Sequence, residues 1–402
     1  MNWPLNDSNF TFLDRLKIAK FFLNKKNFWT MTDEVEKFET LMKDYVGSKH
    51  AVFVSSGSTA NTVLAMYLKD KVHTKTKNTI VFPSTTWITS VSPFVREGFK
   101  PHFIDINISN LGIDNLLLEE YLIKNHKKVA CVFVTSLLGF TPNIGRFQEL
   151  EKEYKVKIMF DNCESTFSQF KGRNISSYFT STTSTYFGHQ LQSVEGGFIF
   201  TNNTEEYEYF LMARNHGMVR GLKSNHENYR NEQVDSRFDF NFLGNNFRNT
   251  NINAFIGQLD FKRIEKYIND RRSFYTIFTD IVSNTPSIDT IHMSTGSRFD
   301  VPFSIPLIFP CKLDKKLAEE YCKINRIETR PIISGNLLRH TCFKGLFEPA
   351  YFNVSEYVHN NGFYIGLHSK INEKQLKKFT NELVYFLRKM SATNNLNEKK
   401  YS

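Results

Sequence analysis

The chain has 402 residues, 41% of them hydrophobic, which is long enough for two or three domains and enough to bury a large core. Its formal net charge of +10 suits an acidic partner, but Lys and Arg are spread along helix-like segments with no dense run, zinc spacing or nucleic-acid motif, which argues against nucleic acid. The start MNWPLNDSNF has no basic stretch followed by an apolar core, and the longest apolar stretch, near Val129–Phe140, is too short to cross a bilayer, so a cytoplasmic protein with no membrane segment is expected.

In chain order, an N-terminal segment over 1–30 precedes an amphipathic helix at Thr32–Tyr45. Val35, Phe38, Leu41, Met42 and Tyr45 recur there at helical spacing behind Thr32, its expected cap. Short apolar runs then predict strands at Ala51–Val54, Thr79–Phe82, Pro101–Ile104, Val129–Val134, Lys157–Phe160 and Gly197–Thr201. Helices are expected between them at Thr59–Leu68, Asn115–Lys124 and Ile144–Tyr154, the alternation of a doubly wound α/β domain over 31–270. A long helical pattern over Asn253–Val282 leaves it. A smaller α/β region over 271–390 follows, with a strand at Phe303–Ile308, a helix near Lys315–Asn325 and a last helix around Glu373–Met390. The polar tail 391–402 reads as disordered. Cys131, Cys163, Cys311, Cys322 and Cys342 lie far apart with no paired spacing, so reduced thiols are expected and neither a metal nor an iron–sulfur cluster.

Chemistry concentrates in a few motifs. Ser56, Gly57 and Ser58, in FVSSGSTAN, stand between a strand and a helix, where free backbone N–H groups and the helix dipole attract an anion; serine and glycine there also simply cap helices. Trp87 in TTW is either core or a stacking platform. Asp161 in FDNCES ends an apolar run and is either a helix cap or a carboxylate for a ring nitrogen. The segment Ser181–Gly197, STTSTYFGHQLQSVEGG, places Ser184 five residues before His189. Further on stand RNHGMVRG with His216 and Arg220, GNNFRNT with Asn246, IETRPIISGNLLR with Arg330 and Arg339, and IGLHSKI with His368. Arginines of this kind are also ordinary surface ion pairs, and a packed histidine explains His368 about as well as a functional one.

Together these motifs, over roughly Asp33–Leu387, resemble the DegT/DnrJ/EryC1/StrS family of pyridoxal-phosphate sugar aminotransferases, and within it the 3-dehydratase branch. The resemblance implies an α/β fold of the aspartate aminotransferase type, fold type I, with a large doubly wound mixed sheet and a smaller C-terminal α/β domain. It implies that Gly57, Ser58 and Ser184 hold the phosphate of pyridoxal or pyridoxamine phosphate, that Trp87 stacks on the ring, and that Asp161 pairs with its nitrogen. Glu164 would orient the ring oxygen or His189. Asn246 would reach the cofactor of a neighbouring subunit, making a homodimer, or a tetramer built of dimers, the active unit. Arg220, Arg330 and Arg339 would meet the sugar diphosphate or the carboxylate of L-glutamate, for which a guanidinium fork is well shaped.

His189 stands where the family keeps its cofactor lysine. An amine condenses with the cofactor's aldehyde, whereas an imidazole only moves protons, and its ordinary pKa of about 6.5 leaves both forms accessible near neutrality. Lys171, the nearest lysine before the motif, reads as a solvated loop charge. Two changes stand beside the base: Gln190 where the dehydratases have a second histidine, and Ser193-Val194 before Glu195-Gly196-Gly197. The expected activity is C3-dehydration of a nucleotide-linked 4-keto-6-deoxy sugar, GDP-linked by preference and either a hexose or a heptose, with glutamate restoring the amine cofactor. An aminotransferase and a non-catalytic sensor of cofactor or sugar nucleotide stay open.

Overall fold

The computed structural model describes residues 3–222, 226–283, 298–345 and 351–398. Its strands are β1 (His50–Val54), β2 (Thr79–Pro83), β3 (Lys100–Ile104), β4 (Val129–Thr135), β5 (Lys157–Asp161), β6 (Gln169–Phe170), β7 (Arg173–Asn174), β8 (Thr180–Ser184), β9 (Gly197–Thr201), β10 (Arg298–Phe299), β11 (Ser304–Ile308), β12 (Thr329–Pro331) and β13 (Gly362–Gly366). The helices are α1 (Phe12–Leu23), α2 (Asp33–Val46), α3 (Gly57–Lys71), α4 (Ser92–Arg96), α5 (Asn115–Asn125), α6 (Ile144–Tyr154), α7 (Thr204–Arg214), α8 (Asn251–Phe261), α9 (Ile264–Val282), α10 (Lys312–Ile324), α11 (Asn353–Asn361) and α12 (Glu373–Glu398).

Seven strands form the large sheet in the order β1-β9-β8-β5-β4-β2-β3, in which β9 alone runs against its neighbours. The strand period of two turns alternate side chains to opposite faces, and each face needs its own helical cover. Ile80, Phe82, Phe133 and Met159 pack on one side with Ala60, Leu64 and Leu68 of α3 and Phe210 of α7. Val81, Val132, Val134, Ile158 and Phe160 pack on the other with Leu118 and Leu122 of α5 and Phe147 and Leu150 of α6. This is the expected doubly wound mixed sheet. A second sheet, β11-β13-β12, is antiparallel, and its residues share a core with Tyr275 and Phe278 of α9, Ala318 of α10 and Leu376 and Phe379 of α12.

Three local readings change. Thr32 stands at the start of α2 but its hydroxyl makes no capping bond; Asn251 of α8 supplies the cap, its Oδ1 accepting from the N–H groups of Thr32 and Val35 at 2.9 and 3.3 Å. The long pattern over Asn253–Val282 is two helices, α8 and α9, broken at Lys262 and Arg263. The backbone of α12 continues as helix to Glu398, past the expected end at Met390, and 399–402 lie outside the described residues. Among the described residues, no helix is long and apolar enough to cross a membrane.

Candidate active site

In an open parallel sheet the strands' carboxyl ends open onto the crevice where ligands bind. At the last residues of β5 and β8 and just beyond the ends of β1, β2 and β4, the chain delivers Asp161, Ser184, Ser56, Trp87 and Ser136 to one cavity of about 560 Å³. Arg330 of β12 and Tyr364 of β13, Cα partners in the second sheet, line it too.

The floor is the first turn of α3. Ser56 caps it reciprocally with Thr59: Ser56 Oγ accepts from the Thr59 N–H at 3.1 Å, and Thr59 Oγ1 accepts from the Ser56 N–H at 2.9 Å. The Ser56 side chain is thus committed to the helix, while the N–H groups of Gly57 and Ser58 have no intrahelical acceptor. Glycine is required where other chain crowds this turn. A Cβ on Gly57 would lie 2.7 Å from Cys163 Sγ and 3.0 Å from Ser184 Cβ. One on Gly197 would lie 2.5 Å from the Gly57 nitrogen. Ser58 Oγ lies 2.9 Å from Thr89 Oγ1, and Ser184 Oγ accepts from the Tyr186 N–H at 3.2 Å.

Asp161 caps no helix. Its Oδ2 accepts from Asn61 Nδ2 at 2.8 Å and Ser90 Oγ at 2.7 Å, and its Oδ1 accepts from the Cys163 N–H at 3.0 Å. Thr182 Oγ1 in turn donates to Asn61 Oδ1 at 2.7 Å. Trp87, on the same cavity, is 54% exposed, which no core tryptophan is. An anion cradle, a carboxylate held by three donors and an open aromatic face fit a phosphate, a ring nitrogen and a flat ring respectively; pyridoxal phosphate offers all three.

His189 sits among these groups. Its Nδ1 lies 2.7 Å from the Cys163 carbonyl oxygen, so Nδ1 carries the hydrogen and the lone pair is on Nε2. Burial holds this imidazole down to about 4, only partly countered by the Cys163 carbonyl and by Asp161. Burial also pushes the neighbouring Glu164 carboxyl up to about 7, with Asp161 adding to the rise; the Leu138 N–H, which donates to Glu164 Oε2 at 2.8 Å, opposes it. A neutral imidazole and a carboxyl raised into the neutral range therefore line one cavity.

Three of the expected contacts lie elsewhere in the single chain. Arg339 forks onto Glu356, its Nε 2.9 Å from Oε1 and its Nη2 on Oε2, and it does not line the cavity. Arg220 lies over the Phe238 ring at 5.7 Å and lines a separate cavity with Arg214 and Arg248. Asn246 accepts from the Arg248 N–H at 3.3 Å, also outside its own chain's cavity. His216 contacts Arg248 at 3.1 Å. His368 is structural: its Nε2 lies 3.2 Å from the Pro4 carbonyl. Gln190 is buried and donates to the Val301 carbonyl at 2.7 Å, and Lys171 covers Phe170 in the β6–β7 turn. The cysteines are free, and among the described residues no cluster has the makings of a metal site. Asn61, Ser90, Thr182 and Asn6 escape a reading of the sequence, because each acts through a partner far away along the chain.

Residues 18–384 match the model of the DegT/DnrJ/EryC1/StrS aminotransferase family. A GDP-4-keto-6-deoxy-D-mannose 3-dehydratase of Escherichia coli O55:H7 (strain CB9615 / EPEC) is 30% identical over 377 residues, covering 92% of this chain and 96% of that protein. The structure of an E. coli GDP-4-keto-6-deoxy-D-mannose-3-dehydratase with bound hydrated PLP has a TM-score of 0.86 at 28% identity, over 96% of this chain and 99% of that one. A GDP-4-keto-6-deoxymannose-3-dehydratase with a trapped PLP-glutamate geminal diamine has a TM-score of 0.85 at 27% identity, over the same shares.

Proposed function

The chain belongs to the DegT/DnrJ/EryC1/StrS aminotransferase family, and from that premise we propose that it is a pyridoxamine-phosphate-dependent 3-dehydratase of a GDP-linked 4-keto-6-deoxy sugar, acting in the cytoplasm as a homodimer. The observation that carries this reading is His189, an imidazole with its lone pair on Nε2 at the cavity where the family resemblance calls for a lysine. The net reaction takes the sugar and L-glutamate to the 4-keto-3,6-dideoxy sugar, ammonia and 2-oxoglutarate: C3 loses its hydroxyl and is reduced, and the amino acid is oxidised.

The cofactor supplies the amine that condenses with the C4 ketone and a ring that draws electrons from the reacting carbon. Gly57, Ser58 and Ser184 hold its phosphate, Trp87 covers its ring, and Asp161, fixed by Asn61, Ser90 and Cys163, pairs with its nitrogen. His189 Nε2 takes a proton as base and, as imidazolium, gives one to the departing C3 hydroxyl, so one group serves both directions. Glu164, its carboxyl raised to about 7 by burial, lines the same cavity and exchanges a proton near neutrality. Arg330, which lines the cavity beside its neighbour Tyr364, is the guanidinium for the acidic part of a substrate. Support for the GDP-linked substrate and for glutamate comes from the relatives whose names and bound molecules carry them.

The test is mass spectrometry of the sugar nucleotide after incubation with pyridoxal phosphate, L-glutamate and GDP-4-keto-6-deoxymannose. Loss of one oxygen with release of ammonia and 2-oxoglutarate is expected; gain of an amine would make the chain an aminotransferase and overturn the reading.

A further inference from the structure

The segment before α1 is bonded to both walls of the cavity. At its start Trp3 is buried: its Nε1 donates to the Gly366 carbonyl at 3.0 Å, its N–H to the Arg326 carbonyl at 3.0 Å, and its ring lies edge-on to Phe379. The Leu5 N–H donates to Glu328 Oε2 at 2.9 Å, and a Cβ on Gly366 would lie 2.4 Å from the Leu5 carbonyl oxygen, so the strap lies flat on β13. Its far end is bonded to the loop that follows His189. Gln192 Nε2 donates to the Asp7 carbonyl at 3.0 Å, Gln192 Oε1 accepts from the Asn9 N–H at 3.1 Å, and both Gln192 and Asn9 donate to Asp260. Midway, Asn6 lines the cavity; the carboxamide atom 3.0 Å from the carbonyl oxygens of Leu5 and Gly188 is assigned as its nitrogen, because two acceptors there call for a donor and the opposite orientation would set oxygen against oxygen.

Gly188 directly precedes His189, whose own N–H closes the turn on the Tyr186 carbonyl at 2.8 Å. Nδ1 on the Cys163 carbonyl fixes one edge of the imidazole, and the Phe187 N–H, donating to the Val194 carbonyl at 3.1 Å, ties the turn to the loop that follows; the Gly188 carbonyl, next to the ring, is where the strap reaches it. We propose that Asn6 is a positioning residue for His189: its carboxamide holds the Gly188 carbonyl, and the strap ties that turn to the sheet carrying Arg330 and Tyr364. Neither the capping of α1, which belongs to Thr11 and Asp14, nor the core around Trp3 requires an amide at position 6. The effect of Asn6 on turnover rests on the dehydratase reading.

The test uses the full-length chain with Asn6→Ala and Asn6→Asp, the latter keeping an acceptor and losing both donors. Each variant is expected to lose about tenfold in kcat, the scale of one hydrogen bond. KM for the sugar nucleotide and the affinity for pyridoxal phosphate should stay within twofold and the melting temperature within about 2 °C. The ¹⁵N signals of the His189 imidazole, assigned by their loss in His189→Asn, should broaden or shift in both variants of the cofactor-free protein. Unchanged kcat, a change confined to KM, or activity restored by Asp alone would each overturn the proposal. Should the wild type fail to dehydrate the sugar, the dehydratase reading fails instead; identical His189 spectra in wild type and Asn6→Ala would then still overturn the role of Asn6.

Discussion

His189 and Glu164 are best read as a pair whose protonation is inverted by burial. In the unfolded chain between about pH 4.5 and 6.5 an imidazole holds a proton and a carboxyl does not. In the folded, cofactor-free chain, with His189 down to about 4 and Glu164 up to about 7, Glu164 holds the proton and His189 does not. Each state then binds one proton, and the two contributions to the pH dependence of stability cancel. Removing either partner uncovers the other. In His189→Asn only Glu164 remains, the folded state binds more protons than in wild type, and stability relative to wild type should fall as pH rises from about 4 to 6.5, the range in which the removed imidazole titrates. In Glu164→Gln only His189 remains, the unfolded state binds more, and stability relative to wild type should rise with pH from about 4.5 to 7. Each slope has a ceiling of about 1.4 kcal/mol per pH unit for one proton. Urea unfolding across this range measures both; two difference curves flat in pH would mean that burial does not invert the pair. The same His189→Asn variant should lose at least 100-fold in turnover, as general bases do, while retaining pyridoxal phosphate. His189, Asp161 and Ser184 were legible in the sequence because spacing within one motif, set against a family pattern, locates them. The supporting network was not, since Ser90 and Asn61 meet Asp161 across 71 and 100 residues of chain.

At the level of elements, legibility followed apolar content. Each apolar run expected to be a strand is one, but β13, whose three apolar residues stand between two glycines, escapes such a reading, and so does β8, which reads TSTTS, although four of its five residues are buried. Hydroxyl groups that find partners only in the fold sustain it: Thr182 donates to Asn61, Ser181 to the Ser176 carbonyl, and Thr180 meets Thr201 and Glu206. Capping has the same limit. Nothing in the neighbourhood of Thr32 shows that Asn251, 219 residues on, terminates α2. Asn251→Ala should therefore cost about 1–2 kcal/mol, the upper range for one cap, because the amide also donates to Thr32 and the Phe28 carbonyl. The glycines of the phosphate turn allow a sharper comparison. In Gly57→Ala the new methyl meets Cys163 Sγ at 2.7 Å, which can turn away, and Ser184 Cβ at 3.0 Å, which must give by a few tenths of an ångström, so the cost should be about 1–3 kcal/mol. In Gly197→Ala it meets the backbone of Ser56 and Gly57, which cannot shift without moving α3, so destabilisation should exceed about 4 kcal/mol. Chemical denaturation of the two variants decides the matter, and equal costs would show that the turn, not its neighbour, yields.

For the molecule as a whole, the alternation of elements announced a doubly wound domain, whereas the strand order and the strap from Trp3 to Asn9 depend on contacts that no local pattern encodes. One long-range question the single chain poses is where Asn246, Arg220 and His216 act, since all three lie off the cavity that holds His189. Around them Leu243 is 98% exposed, with Phe238 and Phe240 more than half exposed, an apolar surface suited to burial against a second copy. If Asn246 serves the partner's cofactor phosphate, each site takes His189 from one chain and Asn246 from the other. Two inactive variants, His189→Asn and Asn246→Ala, should then complement. In a mixed dimer one site receives both defects and the other receives none. Random assembly makes half of the dimers mixed, so co-expressed chains should recover about a quarter of wild-type activity, and dimers purified by two different tags about half. With Asn246 acting in its own chain, every site of a mixed dimer carries one defect, and activity would stay at the level of the single variants. Recovery therefore reports which chain Asn246 serves, independently of how the two copies are packed.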